Sequence, residues 1–535
     1  MDSTVDAVIV GAGFAGLYML HRMRAQGMTA RVFEAGSGVG GTWFWNRYPG
    51  ARCDVNSLEY SYSFSEDLQQ EWAWTERFAT QPEILAYANH VADRFDLRGH
   101  IQLDTRVTAT TWDEDRAVWQ IETDRGDRIS ARFCIMASGC LSAARAPDFP
   151  GTETFEGTVY HTGQWPHDPV DLTGLRVGVI GTGSSGIQTT PVVAEQVAHL
   201  TVFQRTPNFS IPARNEPMDP ERERSWKGQY ADLRRRALET SAGILYEYND
   251  MTALGVPDEE RSRQFETRWE TGGVNFMRSF TDLMLDRAAN DTAAHFVRAK
   301  IAAIVRDPAV AAKLMPHDHP IGTKRICIDT GYYDTFNRPN VRLVDIRETP
   351  IEAITPTGLR TSTEEFVLDA LILATGFDAM TGALGRIAIT GRGGQRLLDK
   401  WAAGPRTYLG LMVAGFPNLF TITGPGSPST LSNMIVAIEQ HVDWISTCIA
   451  DMHERGETVI EPDQAAEDSW VEHVNEVAHR TLFVLANSWY MGANVPGKPR
   501  IFMPYVGGFS VYRQKCLEVA ANGYDGFRLS APNHA

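Results

Sequence analysis

Two stretches of the chain repeat one pattern of hydrophobic and polar positions. Residues 6–10 and 176–180 are rich in valine and isoleucine with little alternation, which is typical of buried parallel strands. Each strand leads into a glycine turn, and each turn into apolar residues at helical spacing, from Phe14 to Gln26 and from Ser184 to Val197. A second short apolar run follows each helix. The pattern predicts two βαβ units, each with its glycine turn at a helix N-terminus.

Two later runs predict one further strand for each unit. Residues 132–139 are Arg-Phe-Cys-Ile-Met-Ala-Ser-Gly, and residues 369–376 are Asp-Ala-Leu-Ile-Leu-Ala-Thr-Gly. Each run ends in a small residue, a hydroxyl residue and glycine, which lets the backbone turn away from the sheet beside a cofactor. Many strands end this way. One such run after each glycine turn nevertheless indicates the closing strand of each nucleotide-binding domain.

The remaining segments complete the predicted organisation. Residues 211–320 are rich in Arg, Glu, Ala, Met and aromatic residues with few β-branched runs, which favours helices. A glycine- and proline-rich turn at 424–429 precedes another predicted helix, from Leu431 to Ala450. We therefore predict an α/β protein with two Rossmann-like dinucleotide-binding domains and a helical insertion. The first domain would take residues 1–145 and 381–535, the second 146–211 and 325–380, and the insertion 212–324.

The glycine turns predict two different nucleotides. The first turn contains Gly11, Gly13 and Gly16, and the second contains Gly181, Thr182, Gly183, Ser184, Ser185 and Gly186. Glu34 lies 23 residues after Gly11, and Arg205 lies 24 residues after Gly181. An acidic side chain there accepts hydrogen bonds from a ribose diol, whereas an arginine pairs with a 2′-phosphate. We therefore expect FAD on the first turn and NADPH on the second, as in a flavin-linked redox enzyme. The alternatives are turns without a ligand and, for Arg205, a solvated strand-end charge.

Composition and charge narrow the class of partner. A net charge of −16 over 535 residues argues against nucleic acid or an anionic membrane. Apolar runs stay shorter than the roughly 20 residues that span a bilayer, and the first residues lack a signal-peptide pattern. Six cysteines form no Cys-x-x-Cys pair and indicate no disulfide framework, and we predict no metal site. We expect a cytoplasmic protein, and the oligomeric state stays open.

Two further segments point to oxygen chemistry. The first, Gly40-Gly41-Thr42-Trp43 with Tyr48-Pro49-Gly50 and Asp54, lies where flavin disulfide reductases hold a redox cysteine pair. Cys53 has no near partner in the sequence, so dithiol chemistry is disfavoured and molecular oxygen is the expected electron acceptor. The second segment, just before the second glycine turn, is Phe155-x-Gly157-x-x-x-His161-x-x-x-Trp165-Pro166.

Together these segments resemble the signatures of the Baeyer–Villiger monooxygenases. The match runs from about residue 5 to about residue 515 and looks closest to the phenylacetone and steroid monooxygenase branch, whose longer active-site loop is similar to Gly424 to Leu431. The resemblance implies an FAD enzyme that uses NADPH and oxygen to insert one oxygen atom beside a ketone carbonyl, giving an ester or lactone through a C4a-peroxyflavin. The alternatives are a flavin N- or S-oxygenating monooxygenase and a flavoprotein sensor that binds NADPH without turnover.

The resemblance also assigns roles to individual residues. The family's catalytic arginine falls on Arg325, and the aspartate that holds it falls on Asp54. It implies FAD contacts at Gly11, Gly13, Gly16, Glu34, Gly41, Thr42, Trp43, Asp54, Tyr60 and Met434. It implies NADPH contacts at Arg52, Gly181, Thr182, Gly183, Ser184, Ser185, Gly186, Gln188, Arg205, Thr206, Lys324, Arg325 and Trp489. It places Ser429, Thr430 and Leu431 at the substrate pocket.

Some of these residues have a structural alternative. Taken by itself, Arg325 is a surface cation at the end of a helical segment, because a single arginine carries no pattern. Trp489 lies in a glycine-, proline- and aromatic-rich stretch, 487–497, which fits either a mobile cover over a cofactor or an ordinary surface loop. Leu431 and Met434 begin a predicted helix and are candidates for core positions as well.

His161 in the second segment has two interpretations. Its imidazole titrates near neutrality, which suggests a general base. Its place in a linker between two nucleotide-binding domains favours a hydrogen-bonded hinge residue instead, since geometry decides before any assignment of a base. Phe155, Gly157 and Trp165 belong to the same predicted hinge segment.

Overall fold

The computed structural model of the chain describes residues 3–531. The first predicted βαβ unit forms from β1 (Ser3–Val10), α1 (Phe14–Ala25) and β2 (Ala30–Phe33), and β1 pairs in parallel with β2. The elements that follow are α2 (Thr42–Trp45), α3 (Glu66–Glu71), α4 (Gln81–Arg94), β3 (Ile101–Gln102), β4 (Val107–Asp113), β5 (Val118–Thr123) and β6 (Arg128–Met136).

The second predicted unit follows, and the helical segment interrupts the chain after it. The unit comprises β7 (Thr158–His161), β8 (Arg176–Ile180), α5 (Ser184–Gln196) and β9 (His199–Gln204), followed by β10 (Ser210–Pro212). The insertion contains α6 (Pro220–Lys227), α7 (Tyr230–Leu238), α8 (Asp258–Thr271), α9 (Arg287–Ile304) and α10 (Pro308–Leu314). It ends at β11 (Cys327–Asp329), which pairs in parallel with β10, so the chain leaves and re-enters at one place.

The rest of the chain returns to the two sheets. Its first part contains α11 (Tyr332–Thr335), β12 (Val341–Asp345), β13 (Ile351–Thr355), β14 (Gly358–Thr361), β15 (Glu365–Val367) and β16 (Ala370–Leu373). Its second part contains α12 (Gly382–Gly385), β17 (Ala388–Thr390), α13 (Leu397–Lys400), β18 (Leu419–Thr421), α14 (Met434–Arg455), β19 (Val459–Pro462), α15 (Gln464–His479), α16 (Phe509–Ala521) and β20 (Phe527–Ser530). Short 3₁₀ helices include Ser429–Leu431 and Trp489–Met491.

Two sheets organise the molecule: the first is mixed, with β5 antiparallel to both its neighbours, and the second is parallel throughout. The first sheet has the order β17-β4-β5-β6-β1-β2-β3, with β18 also paired to β6, and the second has the order β12-β9-β8-β16-β7. The strands predicted from residues 132–139 and 369–376 are β6 and β16, and each lies directly beside the first strand of its unit. Each sheet is therefore built around the strand that carries its glycine turn, which places both turns at the carboxyl ends of central strands.

The core follows the same division. One large cluster packs α1 and β1 against α14, with Ile9 and Ile435 fully buried in it. A second cluster joins β8 and α5 to the insertion, because Val179, Phe265 and Val297 pack in the same group. Burial of each such side chain contributes about 1.5–3 kcal/mol. The later part of the insertion, α8 to α10, therefore shares its core with the second sheet.

Candidate active site

A cavity of about 400 Å³ is lined by residues of both glycine turns. It brings together residues predicted for both nucleotides. From the FAD set it is lined by Gly13, Glu34, Gly41, Thr42, Trp43, Asp54, Tyr60 and Met434. From the NADPH set it is lined by Arg52, Ser184, Gln188, Arg325 and Trp489.

The first glycine turn leaves no room for side chains. A Cβ atom on Gly16 would lie 1.8 Å from the carbonyl oxygen of Gly11, so only glycine lets α1 pack this close to the turn. Gly11 has a φ of +107°, and a Cβ there would lie 2.6 Å from the carbonyl oxygen of Ala137 at the end of β6. Gly41 has a φ of +55° and would place its Cβ 2.8 Å from the Cα of Gly13. The turn and the 40–43 segment thus form one close-packed cradle with the shape that a pyrophosphate requires.

Glu34 is fixed beside this cradle. Its carboxylate accepts hydrogen bonds from the backbone N–H groups of Ala12, at 2.7 Å, and Gly36, at 2.8 Å. Burial raises the pKa of Glu34, and these two hydrogen bonds oppose the shift. A carboxylate has about four acceptor sites. Glu34 therefore keeps acceptor capacity toward the cavity it lines, as a ribose diol requires.

The second glycine turn repeats the geometry. A Cβ on Gly186 would lie 2.2 Å from the carbonyl oxygen of Gly181, and one on Gly181 would lie 2.4 Å from the carbonyl oxygen of Ala374. The alanine before each Ser-Gly or Thr-Gly ending thus lies under the first glycine of its turn. A Cβ on Gly183 would meet no atom of the described chain within 4 Å. The middle glycine faces open space, where a pyrophosphate can approach the backbone.

Two cationic side chains, Arg205 and Lys324, lie near this turn. Arg205 is exposed, and Thr206 next to it accepts a hydrogen bond from the Thr182 hydroxyl at 2.7 Å. The pKa of Lys324 is lowered, first by burial and then by the positive charge of Arg205, while Asp318 opposes the shift. An anion beside Arg205 and Lys324 would relieve this repulsion. The residues therefore fit a 2′-phosphate.

The remaining residues of the NADPH set take separate positions. The Thr162 hydroxyl donates to the Ser185 hydroxyl at 3.2 Å. Gln188 accepts a hydrogen bond from the Tyr48 hydroxyl at 2.8 Å. Arg52 pairs with Glu76 at 2.9 Å while it lines the cavity. Tyr48 belongs to a signature segment of the sequence that gave it no individual role, and it also lines the cavity.

Arg325 and Asp54 form an ion pair at the cavity wall. The Nε of Arg325 donates to Oδ2 of Asp54 at 2.7 Å, and Nη2 lies 2.6 Å from the same oxygen. Nη1 donates to the backbone carbonyl of Thr430 at 2.6 Å. Burial would lower the pKa of Arg325, but the charge and hydrogen bonding of Asp54 outweigh it and raise the pKa. The guanidinium therefore stays charged and oriented, and it is not a surface cation.

The predicted substrate-pocket residues separate. Thr430 lines the cavity, whereas Ser429 and Leu431 are not among its lining residues. Ser429 is fully buried with a φ of +45°, and Leu431 packs beside Tyr490 and Phe502. The prediction of a helix beginning at Leu431 was wrong. The helix α14 begins at Met434, because Asn433 caps it by accepting from the Ile435 N–H at 3.1 Å.

His161 lies where the chain passes between the two sheets, once near Arg145 and again near Thr375. Its Nδ1 accepts from the Gly163 N–H at 2.9 Å, which leaves the proton on Nε2 to donate to the Arg145 carbonyl at 3.0 Å. Burial lowers the pKa of His161 and favours the neutral ring. The Thr375 hydroxyl donates to the same Arg145 carbonyl at 2.6 Å. Both ring nitrogens are thus used at the crossings, which supports a hinge role rather than a base.

The rest of the hinge segment packs around this point. Trp165 is buried and stacks on Tyr160 at 5.0 Å between ring centroids. A Cβ on Gly157 would lie 2.4 Å from the carbonyl oxygen of Asp369, and Phe155 packs against the apolar face behind the second sheet. These contacts and the pairing of β7 with β16 hold the hinge segment at the edge of the second sheet.

Trp489 lies on a segment that covers the cavity. It packs beside Met434 against buried Cys140 and Met503. Lys498 in the same segment donates to Asp378 at 2.5 Å, and Asn494 donates to the Phe377 carbonyl at 2.6 Å. The segment is therefore held against Phe377 and Asp378, which argues against a mobile cover, and Trp489 is a packed residue that lines the cavity.

Sequence reasoning missed other lining residues. They include Ser138, Gly139, Cys140, Leu141 and Ser142, in the loop that follows β6. The Ala-Ser-Gly ending of residues 132–139 was the available signal, and it indicated a cofactor nearby. Burial raises the pKa of the Cys140 thiol, as it does for Cys53, so both thiols stay protonated.

The chain is similar to known flavoenzymes over nearly its whole length. A family model described as pyridine nucleotide-disulphide oxidoreductase matches residues 8–220. The 2-oxo-Δ3-4,5,5-trimethylcyclopentenylacetyl-CoA monooxygenase of Pseudomonas putida is 43% identical, over 98% of each chain. The acetone monooxygenase (methyl acetate-forming) of Gordonia sp. is also 43% identical, over 99% of each chain. A phenazine N-monooxygenase of Lysobacter antibioticus is 41% identical, over 98% of this chain and 96% of that protein.

Solved structures agree over the whole fold. An oxidised steroid monooxygenase bound to NADP is 55% identical and superposes with a TM-score of 0.95, covering 99% of this chain and all of the other. OTEMO in complex with FAD and NADP is 43% identical with a TM-score of 0.96, over 99% and 100% of the two chains.

These matches confirm the predicted α/β fold with its parallel sheets. Across residues 3–531, no helix has both the length and the apolar character to cross a membrane. In the same range, His, Cys, Asp and Glu residues form no group arranged to hold a metal ion.

Relatives more than 40% identical over nearly the whole chain establish the family. The chain belongs to the Baeyer–Villiger monooxygenases, the flavoenzyme family that its sequence signatures indicated.

Proposed function

We propose that this chain converts a ketone to an ester or lactone, with NADPH as the reductant and molecular oxygen as the source of the inserted atom. It is an FAD- and NADP-dependent monooxygenase, with the cofactors of the steroid monooxygenase and OTEMO structures. Its relatives include an enzyme named for forming methyl acetate from acetone. The observation that carries the proposal is the Arg325–Asp54 pair at the wall of a cavity shared by both glycine-turn sites.

Residues of the first turn would hold FAD. Gly13 and Gly41 pack against each other at the cavity wall, where the pyrophosphate would lie, and Glu34 would accept from the ribose. Bound FAD supplies the acceptance of hydride and the activation of oxygen. The protein positions these events and keeps bulk water away. Trp43 and Met434 contribute apolar surface to the cavity for that purpose.

Residues of the second turn would hold NADPH. Gly183 leaves space for the pyrophosphate, and Arg205 with Lys324 would bind the 2′-phosphate, which NADH lacks. Trp489 and Gln188 line the cavity between this turn and the first one. The nicotinamide would therefore enter the same space that Arg325 borders.

Arg325 would stabilise negative charge on oxygen during the reaction. The guanidinium is a permanent cation with five N–H donors in a fixed plane. Nε and Nη2 point at Asp54, and Nη1 has one N–H on the Thr430 carbonyl and a second that is not needed for that bond. Donors fixed beside a developing oxyanion contribute on the order of 2.7–4 kcal/mol each. Such a site keeps the reactive oxygen unprotonated, favouring attack on a carbonyl carbon.

Product analysis separates this function from its alternatives. NADPH oxidation by the flavin-loaded protein is followed with linear, cyclic, aromatic and steroid ketones and with amines, and the products are identified by mass spectrometry under ¹⁸O₂. One labelled oxygen in an ester or lactone supports the proposal. Labelled amine oxides without esters would favour N-oxygenation, as in the phenazine relative, and no stimulation by any compound would favour a sensor.

The Arg325→Ala variant tests the assigned residue. Ester formation should be lost, while NADPH should still reduce the flavin, because hydride transfer does not need the oxyanion site. Ester formation at an unchanged rate would remove Arg325 from the mechanism.

The cysteines support a reducing compartment for this reaction. All six are free and buried, with no disulfide among residues 3–531. Since cytosolic proteins keep their thiols reduced, we propose a cytoplasmic location. Fractionation of cells that produce the protein, followed by detection with an antibody, checks it.

A further inference from the structure

The two groups that hold the Arg325 guanidinium lie on different segments of the chain. Asp54 begins the segment 54–60, and Thr430 belongs to the segment 430–433 just before α14. These are more than 370 residues apart, so their relative position must be fixed by tertiary contacts. Asp54 and Thr430 bind different nitrogens of one planar group. The position of the guanidinium therefore depends on how the two segments are held relative to each other.

Asn433 makes such a tertiary contact. Its side chain is fully buried, and its Nδ2 donates to the backbone carbonyl of Glu59 at 2.8 Å. Its backbone N–H donates to the Ala242 carbonyl of the insertion at 2.8 Å. Its Oδ1 accepts from the Ile435 N–H and caps α14. One residue therefore joins both Arg325-holding segments and the insertion.

Glu59 completes the junction from the other side. The backbone N–H groups of Glu59 and Tyr60 both donate to the Asn56 carbonyl at 2.9 Å, so Asp54 and Glu59 are linked by a compact turn. The Glu59 carboxylate accepts from the Leu245 N–H at 2.7 Å. The side chain points into the insertion, whereas the neighbouring Tyr60 lines the cavity.

A buried cation strengthens the same junction. The Nη1 of Arg234 donates to the Glu59 carbonyl at 3.3 Å, on the oxygen that Asn433 also binds. Arg234 lies on α7 of the insertion and is 9% exposed. The earlier part of the insertion is thereby tied to the segment that carries Asp54.

We propose that Asn433 is a positioning residue for Arg325, which sets the distance between Asp54 and Thr430 by its bond to the Glu59 carbonyl. The inference rests on the proposed function of Arg325. It gives the insertion a part in the reaction, because Leu245, Ala242 and Arg234 hold the junction from that side. Without the Asn433 amide, the two segments can move apart, and the guanidinium loses either its orientation or its second anchor.

Substitutions of Asn433 can separate this role from helix capping. Asn433→Ser keeps an N-cap oxygen but is too short to donate to the Glu59 carbonyl. Asn433→Asp keeps the cap and the size but replaces the N–H donor, and serves if the serine variant folds poorly. Asn418→Ser is the matched control. Asn418 is also fully buried, and its Nδ2 donates to the backbone carbonyls of Arg132, at 3.0 Å, and Thr458, at 2.9 Å, on the far side of the first sheet.

The expected results differ between the rate of oxygen insertion and the rate of flavin reduction. Asn433→Ser should lower ester formation by about 10- to 100-fold, because a small displacement of a fixed donor costs this much. Flavin reduction by NADPH should stay within about twofold of wild type, with hydrogen peroxide accounting for the NADPH that yields no ester. Asn418→Ser should lose thermal stability without this split. If both serine variants lowered ester formation relative to flavin reduction by the same factor, the proposal would be overturned.

A second background tests whether Asn433 acts through the ion pair. In Asp54→Asn protein the guanidinium has already lost its charged anchor, so adding Asn433→Ser should reduce the rate by less than about twofold more. Full multiplication of the two losses would show independent action and contradict the inference.

A measurement without turnover keeps the inference separate from the proposed function. Hydrogen exchange of the peptide that contains residues 54–60 should rise in Asn433→Ser and stay unchanged in Asn418→Ser. Unchanged exchange in both variants would refute the junction. Wild-type protein that forms no ester, with the exchange difference present, would instead refute the proposed function alone.

Discussion

Replacing Asp54 by asparagine is the most direct test of the ion pair. The substitution keeps the size of the side chain and one acceptor but removes the charge. Two nitrogens of Arg325 lie 2.7 and 2.6 Å from one carboxylate oxygen. Hydrogen bonds to charged groups contribute about 1.5–3 kcal/mol and neutral ones about 0.5–1.5 kcal/mol, so each bond loses about 1–1.5 kcal/mol.

Solvent reduces this loss. The side chains of Arg325 and Asp54 are 30% and 22% exposed, so water screens part of the interaction. We therefore expect a total loss of about 2 kcal/mol in holding the guanidinium, which corresponds to a roughly 30-fold lower rate of oxygen insertion. Flavin reduction by NADPH should change little, because Asp54 acts on the oxygen step through Arg325.

The assay measures the two steps separately. Anaerobic loss of the yellow flavin absorbance gives the reduction rate, and chromatography of the ester under air gives the insertion rate. Asp369→Asn is the control, since it removes the partner of Arg176, at 2.6 Å, at the end of the second sheet opposite its glycine turn. Ester formation by Asp54→Asn at the wild-type rate, with the control also unchanged, would refute the reasoning.

Three further predictions concern the nucleotide sites and the junction. Gly183→Ala should keep the melting temperature but raise KM for NADPH at least about tenfold, whereas Gly186→Ala should lower the melting temperature, because its Cβ would lie 2.2 Å from a backbone oxygen. Arg205→Ala should raise KM for NADPH by roughly 10- to 100-fold and leave KM for NADH unchanged; equal changes would exclude 2′-phosphate binding. Burial raises the pKa of Glu59 from 4.5 to about 7, so the folded state holds the proton more tightly and wild-type stability falls by about 3 kcal/mol as pH rises through that window. Glu59→Gln should therefore melt higher than wild type near pH 8 and equally near pH 4, in calorimetric scans; a constant difference would contradict this.

Local features of the chain were predictable because their physics is local. A glycine turn between a strand and a helix needs residues without side chains at fixed spacing, and the close approaches at Gly11 and Gly16 explain that need. The same holds for Glu34, whose position follows from the length of one βαβ unit. The Ala-Ser-Gly ending of residues 132–139 also had a local cause, since Ala137 lies under the turn.

Other features depend on the surroundings of single residues. Ser429, Thr430 and Leu431 are consecutive, but a 3₁₀ helix turns them in different directions, and only Thr430 faces the cavity. The start of α14 was misplaced by three residues, because Asn433 supplies the cap from a position that the apolar pattern does not mark. Such details depend on the packing around each residue and not on its type.

The two nucleotide-binding units, the acidic and basic residues that distinguish them and the family signatures could be recognised in the sequence, because each lies within a short stretch of chain. The tertiary structure decided the site. Arg325 and Asp54 are 271 residues apart, and without the family resemblance nothing in the sequence pairs them. Their meeting depends on an insertion that returns beside its starting point and on the Asn433 junction that aligns two distant segments. The Arg325 guanidinium is oriented toward the cavity only because the fold brings Asp54 beside it.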